Sequence, residues 1–328
     1  MSPATISTHV YKTVGDLNLT VDLHAPPNFN SDTGMVLVHF HGGYLLLGEK
    51  TTFMPHWLIN ACHQRGWAFA TPSYRLLPEA SGTDVVQDAF DAVVWIMNNI
   101  AKSGRMFLAG SSAGGYLALA ATAHPNVPPI TALLLMYGML DPTAPRYVKP
   151  GQAFIKPLDS LDTVVADLGK AQAQSQPLDS YAFPADPMMD RRYTWVRALH
   201  EGALYMEILT GVHGLAKQVY DKGSNVIPAQ FRPLFPATFG LRAGLPPTVL
   251  LHGEDDIAVN VQLSRTLAYK LQELDNKVLL EVVPDQGHGF DVTHGRTVIT
   301  SLNRWRLTLE RAASSPSHFC NMMMKYAA

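Results

Sequence analysis

Residues 105–120 read Arg-Met-Phe-Leu-Ala-Gly-Ser-Ser-Ala-Gly-Gly-Tyr-Leu-Ala-Leu-Ala. A short apolar run meets a turn of small residues and continues into Ala and Leu, which predicts a strand, a sharp turn and a helix. Ser112 is the centre of a Gly-x-Ser-x-Gly pattern in that turn. Gly110 and Gly114 would let strand and helix approach closely, with the serine strained at the helix N-terminus. Ser112 is therefore the first candidate for a nucleophile.

The composition describes an ordered, nearly neutral protein. Of 328 residues, 47% are hydrophobic and 16% charged, which is ample for a large buried core. The 25 Lys and Arg almost balance the 27 Asp and Glu, and no basic stripe with interleaved aromatic residues indicates nucleic acid. We find no apolar run near the roughly 20 residues of a membrane span and no standard secretion signal, so we expect a cytoplasmic protein. Cys62 and Cys320 lack metal-ligand spacing and suit a reducing compartment.

Apolar runs alternate with helical patterns along most of the chain. Strands are predicted as a hairpin over residues 9–24 and at 35–40, 67–74, 106–109, 130–137, 248–252 and 278–283, and helices at 53–64, 83–98, 261–273 and 297–312. This alternation predicts an α/β fold with a mostly parallel central sheet and helices on both faces.

Residues 141–245, called the insert below, interrupt the alternation. They are rich in Pro, Met and aromatic residues, with helical patterns near 161–173 and 193–210 and no clear strand. We interpret the insert as a helical cap or lid, most of whose aromatic side chains form its own core while a minority face a pocket. The predicted division is an α/β core of residues 1–140 and 246–313, the insert, and a tail of residues 314–328.

A serine nucleophile needs a base in hydrogen-bond reach and an acid that orients the base. The strand at 248–252 leads into three consecutive acids, Glu254, Asp255 and Asp256, and the last strand leads into His288 between two glycines. Because side chains alternate in direction, only one or two of these acids can face the histidine. His288 is the candidate base and His294 a weaker alternative.

The exit of the first core strand reads His41-Gly42-Gly43-Tyr44. It resembles the His-Gly-Gly-Gly element of lipases and esterases, which implies an oxyanion hole from the backbone N–H groups of Gly43, Tyr44 and Ala113. Tyr44 in place of the third glycine is similar to the His-Gly-Gly-x-Trp element of kynurenine formamidases, with Leu45 where those enzymes have Trp. We expect His41 to hold the loop by a hydrogen bond.

The run from Tyr74 to Glu79, Tyr-Arg-Leu-Leu-Pro-Glu, resembles the Tyr-Arg-Leu-Ala-Pro-Glu run of hormone-sensitive-lipase-like esterases and arylacetamide deacetylases. The acid loop resembles that of many α/β-hydrolases, which favours Asp256 over Asp255. The resemblance covers about residues 35–295 and implies an α/β-hydrolase with Ser112, Asp256 and His288 as its catalytic triad. One departure is that this family builds much of its cap from N-terminal residues, whereas here the insert must supply it.

These features predict a carboxylic ester hydrolase that acts on a hydrophobic small molecule through an acyl-enzyme, with no metal or organic cofactor. Three alternatives stay open. They are a non-hydrolytic reaction of the same fold on a natural product, such as acyl transfer, elimination or cyclisation; an arylformamidase-type amidase; and a ligand-binding receptor. The sequence also leaves a homodimer open.

Overall fold

The computed structural model describes residues 5–174 and 176–293. The predicted helix at 297–312, the predicted tail and the residues His294 and Cys320 lie outside the described residues. The eight strands of the described part are β1 (Thr5–Val14), β2 (Leu17–Ala25), β3 (Val36–Phe40), β4 (Ala68–Pro72), β5 (Met106–Ser111), β6 (Ala132–Met136), β7 (Thr248–Gly253) and β8 (Val278–Val283).

All eight strands form one sheet in the order β1-β2-β4-β3-β5-β6-β7-β8. The hairpin β1–β2 and the pair β2–β4 are antiparallel, and every pair from β4 to β8 is parallel. Strands β3 to β7 are buried along their whole length, as expected where helices cover both faces of a parallel sheet. The predicted α/β fold class is confirmed.

The described helices are α1 (His56–His63), α2 (Gly82–Asn99), α3 (Ala113–Ala123), α4 (Pro145–Val148), α5 (Leu161–Gln174), α6 (Arg191–Glu201), α7 (Tyr205–Thr210), α8 (Leu215–Lys222), α9 (Gln262–Glu273) and α10 (Phe290–Thr293). Alternate residues of β3 belong to different cores: Val36 and Val38 pack with α2, α3 and α9, while Leu37 packs with α1 and Phe290. The two faces of the sheet are therefore covered by two separate hydrophobic cores. In the part of the chain described here, none of the helices has the length and apolarity to cross a membrane.

The insert contains helices α4 to α8 and short 3-10 or π-helical turns, and its residues add no strand to the sheet in the described ranges. Helix α5 matches the prediction for 161–173, but the single helix predicted over 193–210 is wrong. That segment forms α6 and α7, separated at Gly202–Leu204. Gly202 caps α6, and Ala203 has φ +53°, which reverses the backbone and cannot continue a right-handed helix.

Candidate active site

The candidate nucleophile occupies the connection between β5 and α3. Ser112 has φ +55° and ψ −121°, a strained conformation for a residue with a side chain. A Cβ on Gly110 would collide with the carbonyl of Gly114, and a Cβ on Gly114 would collide with the carbonyl of Phe40. Both flanking positions therefore require glycine. The tight turn leaves Ser112 at the carboxyl edge of the sheet and at the start of α3.

Backbone hydrogen bonds hold this strained residue in place. The Ser112 N–H donates to the Met136 carbonyl at 2.9 Å, and its own carbonyl accepts from the N–H groups of Gly115 and Met139, each at 3.0 Å. The adjacent Ser111 bonds instead to His39, 2.8 Å from Nε2. Burial lowers the pKa of His39 to about 3, which keeps its ring neutral. The two serines of the turn therefore have separate surroundings.

The predicted oxyanion loop has three consecutive left-handed residues, Gly43 (φ +119°), Tyr44 (φ +60°) and Leu45 (φ +67°). A Cβ on Gly43 would collide with the Leu47 carbonyl, while a Cβ on Gly42 would lie 3.0 Å from the Ser112 Cβ. The loop thus lies against the candidate nucleophile. Within the described residues, the N–H groups of Gly43 and Tyr44 find no acceptor, and such free donors beside a nucleophile can receive an oxyanion.

Ala113 is the first residue of α3, where a backbone N–H has no intrahelical acceptor and the helix dipole favours negative charge. His41 has the role expected from the sequence. Its Nδ1 lies 2.8 Å from the Gly42 carbonyl, and its ring stacks on Tyr74 at 4.3 Å between centroids. The Tyr74 hydroxyl donates to the His41 carbonyl at 2.9 Å. Burial lowers the pKa of His41 to about 4, so the ring is neutral near pH 7.

The structure brings Asp256 and His288 together from the loops after β7 and β8. Nδ1 of His288 lies 2.7 Å from Oδ2 of Asp256. The other carboxylate oxygen accepts from the N–H groups of Ala258 and Val259, each at 2.9 Å. Burial opposes ionisation of Asp256, but the hydrogen bonds from His252 and His288 outweigh it and hold its pKa well below the usual range. Asp256 is therefore a charged acceptor that fixes the Nδ1–H tautomer of His288.

The competing acids face elsewhere. Asp255 is exposed, and its backbone N–H donates to the Gln286 carbonyl at 2.9 Å. Glu254 is also exposed and pairs with Arg265 at 3.4 Å. Asp291 is buried but accepts from the Tyr137 hydroxyl at 2.7 Å and from Trp57 Nε1 at 2.8 Å. Of these acids, Asp256 makes the hydrogen bond to His288.

Two residues that contact this pair, His252 and Tyr137, were not predicted from the sequence. His252, fully buried, places Nε2 3.3 Å from Asp256 Oδ2 and 2.9 Å from the Val259 carbonyl, while Nδ1 lies 2.7 Å from the Ser264 hydroxyl. Tyr137, held by Asp291, packs against His288 with 4.8 Å between ring centroids. The signal for His252 was its place in the run His-Gly-x-x-Asp. Nothing local to Tyr137 indicated its contact with a residue 151 positions later.

The Tyr74–Glu79 segment joins the core to the insert. Arg75 makes a two-pronged pair with Asp88 of α2, at 2.7 and 2.8 Å. Glu79 pairs with Arg192 of α6 at 2.5 Å, and both side chains are 4% exposed. Arg192 also donates to the carbonyls of Leu46 at 2.9 Å and Leu77 at 3.0 Å. This buried pair ties the insert to the oxyanion loop.

The insert, α9 and the loop after β7 line an open cavity of about 920 Å³, and among the described residues its wall includes Asp256 but neither Ser112 nor His288. Its walls mix apolar and polar side chains: Ala144, Pro145, Ala153, Ile155, Ala237, Ile257, Leu263 and Leu267 are apolar, and Asp141, Thr143, Arg146, Gln152, Asn260, Gln262, Thr266 and Lys270 are polar. A volume of this size fits a small organic substrate.

Comparisons with known proteins agree with this architecture. A family model described as the alpha/beta hydrolase fold matches residues 37–199, and one for the prolyl oligopeptidase family matches residues 169–308. A probable carboxylesterase, M8 of Phoma sp., is 26% identical over 79% of this chain and 80% of its own length. The non-reducing polyketide synthase ausA of Emericella nidulans is 25% identical over 87% of this chain, which spans only 13% of that synthase.

The solved structure of Thermogutta terrifontis esterase 2 covers 93% of this chain and 94% of its own, with a TM-score of 0.59 and 18% identity, which shows a shared fold. The chain therefore has the fold of the α/β-hydrolases. Among them it is of the carboxylesterase type, and the prediction of an α/β-hydrolase esterase from the sequence is confirmed at this level.

Proposed function

We propose that this protein is a serine carboxylesterase in which Ser112 is the nucleophile, His288 the general base and Asp256 the residue that orients His288. The observation that carries the proposal is the hydrogen bond of 2.7 Å between His288 Nδ1 and Asp256. Ser112, strained at the start of α3, lies at the same carboxyl edge of the parallel sheet, although no hydrogen bond joins its Oγ to His288 in the described residues. This order of nucleophile, acid and histidine along the chain is that of the α/β-hydrolase template.

The proposed reaction has two acyl-transfer steps. Nε2 of His288 takes the Ser112 proton as Oγ attacks the ester carbonyl, and the N–H groups of Gly43, Tyr44 and Ala113 stabilise the oxyanion. The imidazolium then protonates the departing alcohol, which leaves an acyl group on Ser112. Water, deprotonated by His288, attacks that acyl group, and the acid is released as Ser112 regains its proton. Asp256 stays ionised throughout and stabilises the imidazolium.

The apolar walls of the cavity support a hydrophobic small molecule as substrate. They include Ile155 and Ile257, whose side chains are 61% and 82% exposed. Exposed aliphatic side chains beside a catalytic carboxylate gain most from an apolar group that covers them.

Hydrolysis of 4-nitrophenyl esters of increasing acyl length, by the wild type and the Ser112→Ala variant, tests the proposal. We expect turnover in the wild type and a loss of roughly 10⁴-fold or more in kcat for Ser112→Ala, because the acyl-enzyme cannot form. Ser111→Ala is the matched control, since its hydroxyl bonds to His39, and it should lose less than tenfold. Full activity of Ser112→Ala would refute the assignment.

A second candidate is acyl transfer to a nucleophile other than water, on a natural product. It is favoured by the similarity between 87% of this chain and one segment of a polyketide synthase. The same triad would serve, with a substrate hydroxyl or amine in place of water in the second step. Mass spectrometry of products formed with an added acceptor alcohol distinguishes the two, because transfer gives a new ester and hydrolysis gives the free acid.

A further inference from the structure

The cavity beside Asp256 has one basic side chain that makes no ion pair with a carboxylate of the described residues. Two basic side chains line it, Arg146 and Lys270. The Lys270 ammonium donates to the Ala237 carbonyl at 2.9 Å and lies 3.4 Å from the Asp141 carboxylate. Lys270 is therefore already paired.

Arg146 differs. No carboxylate within residues 5–174 and 176–293 lies at ion-pair distance from its guanidinium. Among the described residues, its guanidinium instead packs on the ring of Phe154, with the guanidinium carbon 5.9 Å from the ring centroid. A guanidinium that packs on a ring keeps its N–H groups directed outward, in the fork that matches a carboxylate. The positive charge of Arg146 is thus available to a ligand in the cavity.

The remaining acid of the cavity wall is ionised but is not at ion-pair distance from Arg146 within the described residues. Asp256 already accepts hydrogen bonds from His288, Ala258 and Val259. The amides of Gln152 and Asn260 stand in the same wall and can donate further hydrogen bonds to an anion. The cavity therefore combines apolar surface, neutral donors, two carboxylates that are bonded to other groups, and one cation without a carboxylate partner in the described residues.

We propose, on the basis of the serine esterase function above, that Arg146 binds a carboxylate of the substrate, so that the preferred substrate is an amphipathic ester that carries a free acid group. The apolar wall covers its hydrocarbon part, and the guanidinium pairs with its acid. The carboxylate belongs either to the acyl group or to the alcohol, and the two arrangements call for separate substrates.

Two substrate series separate these arrangements. Monoethyl esters of dicarboxylic acids with five to eight carbons carry the acid on the acyl side, and acetate esters of hydroxy acids carry it on the alcohol side. Each is compared with the primary amide of the same length, which is nearly isosteric and neutral. We expect kcat/KM for the acid to exceed that for the amide by roughly tenfold or more in one series. This ratio corresponds to one charged pair that contributes about 1.4 kcal/mol.

The variants assign the preference to Arg146. In Arg146→Gln the acid-to-amide ratio should fall to about one, whereas Arg146→Lys should keep part of it, because lysine retains the charge without the two-pronged geometry. Lys149→Gln removes the same charge from an exposed position three residues away and should leave the ratio unchanged. Melting curves establish that each variant is folded.

Equal turnover of acid and amide by the wild type, or a preference that survives in Arg146→Gln, would overturn the Arg146 site while the esterase function stands. If the wild type cleaves neither series nor any 4-nitrophenyl ester, the esterase function itself fails, and the site with it.

Discussion

The sheet and the insert contribute to the candidate site in different ways. Ser112, Asp256 and His288 follow β5, β7 and β8, and backbone or side-chain hydrogen bonds fix each of them. The insert instead meets the site with a cluster of aromatic rings around His200, with Phe154 4.6 Å and Tyr205 5.0 Å away between centroids. Strand ends therefore position the three proposed catalytic residues, and irregular packing of the insert shapes the space around them.

The difference also appears in the buried polar atoms. In the sheet, His39 and His252 bond to Ser111 and Ser264. In the insert, the Tyr147 hydroxyl, the Tyr205 hydroxyl and Nε2 of His200 are buried with no hydrogen-bond partner in the described part of the chain. An unpaired buried polar atom costs about 1–3 kcal/mol. In the core, Nε2 of His41 is likewise buried without a partner among the described residues. The insert therefore holds most, but not all, of these unpaired atoms.

The largest expected effect is on the acid of the core. Asp256→Asn should lower kcat by roughly 10³- to 10⁴-fold, because the amide no longer fixes the Nδ1–H tautomer of His288 or stabilises its imidazolium. Asp255→Asn, at the adjacent exposed position, is the control and should change kcat by less than threefold. Steady-state hydrolysis of a 4-nitrophenyl ester measures both. A reversed order of the two effects would assign the triad to Asp255.

The next effect concerns the joint between core and insert. Arg192→Gln leaves the buried Glu79 carboxylate unpaired, which should cost roughly 3–5 kcal/mol in the free energy of unfolding. The neighbouring Arg191 pairs with Asp167 while 60% exposed, so Arg191→Gln should cost at most about 1 kcal/mol. Urea unfolding measures both variants. Equal losses would show that the Arg192 pair does not join the two regions.

Buried histidines in both regions predict a loss of stability in acid. Burial lowers the pKa of His39 to about 3 and those of His41 and His200 to about 4. Unfolded histidines bind a proton below about pH 6.5, whereas these buried histidines stay neutral in the folded state down to about pH 4. Because the unfolded state then binds more protons, the free energy of unfolding falls as the pH drops from about 6.5 to about 4. Each histidine contributes about 1.4 kcal/mol per pH unit at most.

Unfolding in urea at a series of pH values tests this expectation, with His200→Phe as the comparison. In that variant the free energy of unfolding should depend less steeply on pH, because His200 no longer contributes while His39 and His41 still do. A free energy of unfolding that is constant from pH 6.5 to 4, or an unchanged slope in His200→Phe, would contradict it.

The smallest expected effect concerns two buried tyrosine hydroxyls, of which only one has a hydrogen-bond partner in the described residues. Tyr147→Phe removes a fully buried hydroxyl that has no partner among the described residues, and should raise the free energy of unfolding by about 1 kcal/mol. Tyr116, equally buried, donates to the Leu234 carbonyl at 2.9 Å, so Tyr116→Phe should lower it by about 1–2 kcal/mol. Thermal unfolding compares the pair, and a loss of stability in both would mean that Tyr147 has a partner.

The core was predictable because its signals are local. A continuous apolar run marks each buried parallel strand, and the spacing of glycines around Ser112 follows from the close approach of β5 and α3. The order of Ser112, Asp256 and His288 then follows from where the strands end. The choice between Asp255 and Asp256 needed the structure, because consecutive residues differ only in the direction of their side chains.

The insert was less predictable because long-range packing decides its course. Ala203 adopts φ +53° between α6 and α7, and an alanine carries no local signal for that reversal. The contact of Tyr137 with His288 and the Asp291 bond to Trp57 join residues far apart in the chain. The pairing of Arg192 with Glu79 likewise depends on how the insert seats on the core.

The most direct test of the account is the intact mass of the protein after exposure to a fluorophosphonate. We predict a single adduct on the wild type and none on Ser112→Ala, because only a serine activated by His288 beside free N–H donors displaces the fluoride. An unlabelled wild type that is demonstrably folded, or equal labelling of Ser112→Ala, would contradict the assignment of Ser112, His288 and Asp256 as the catalytic centre.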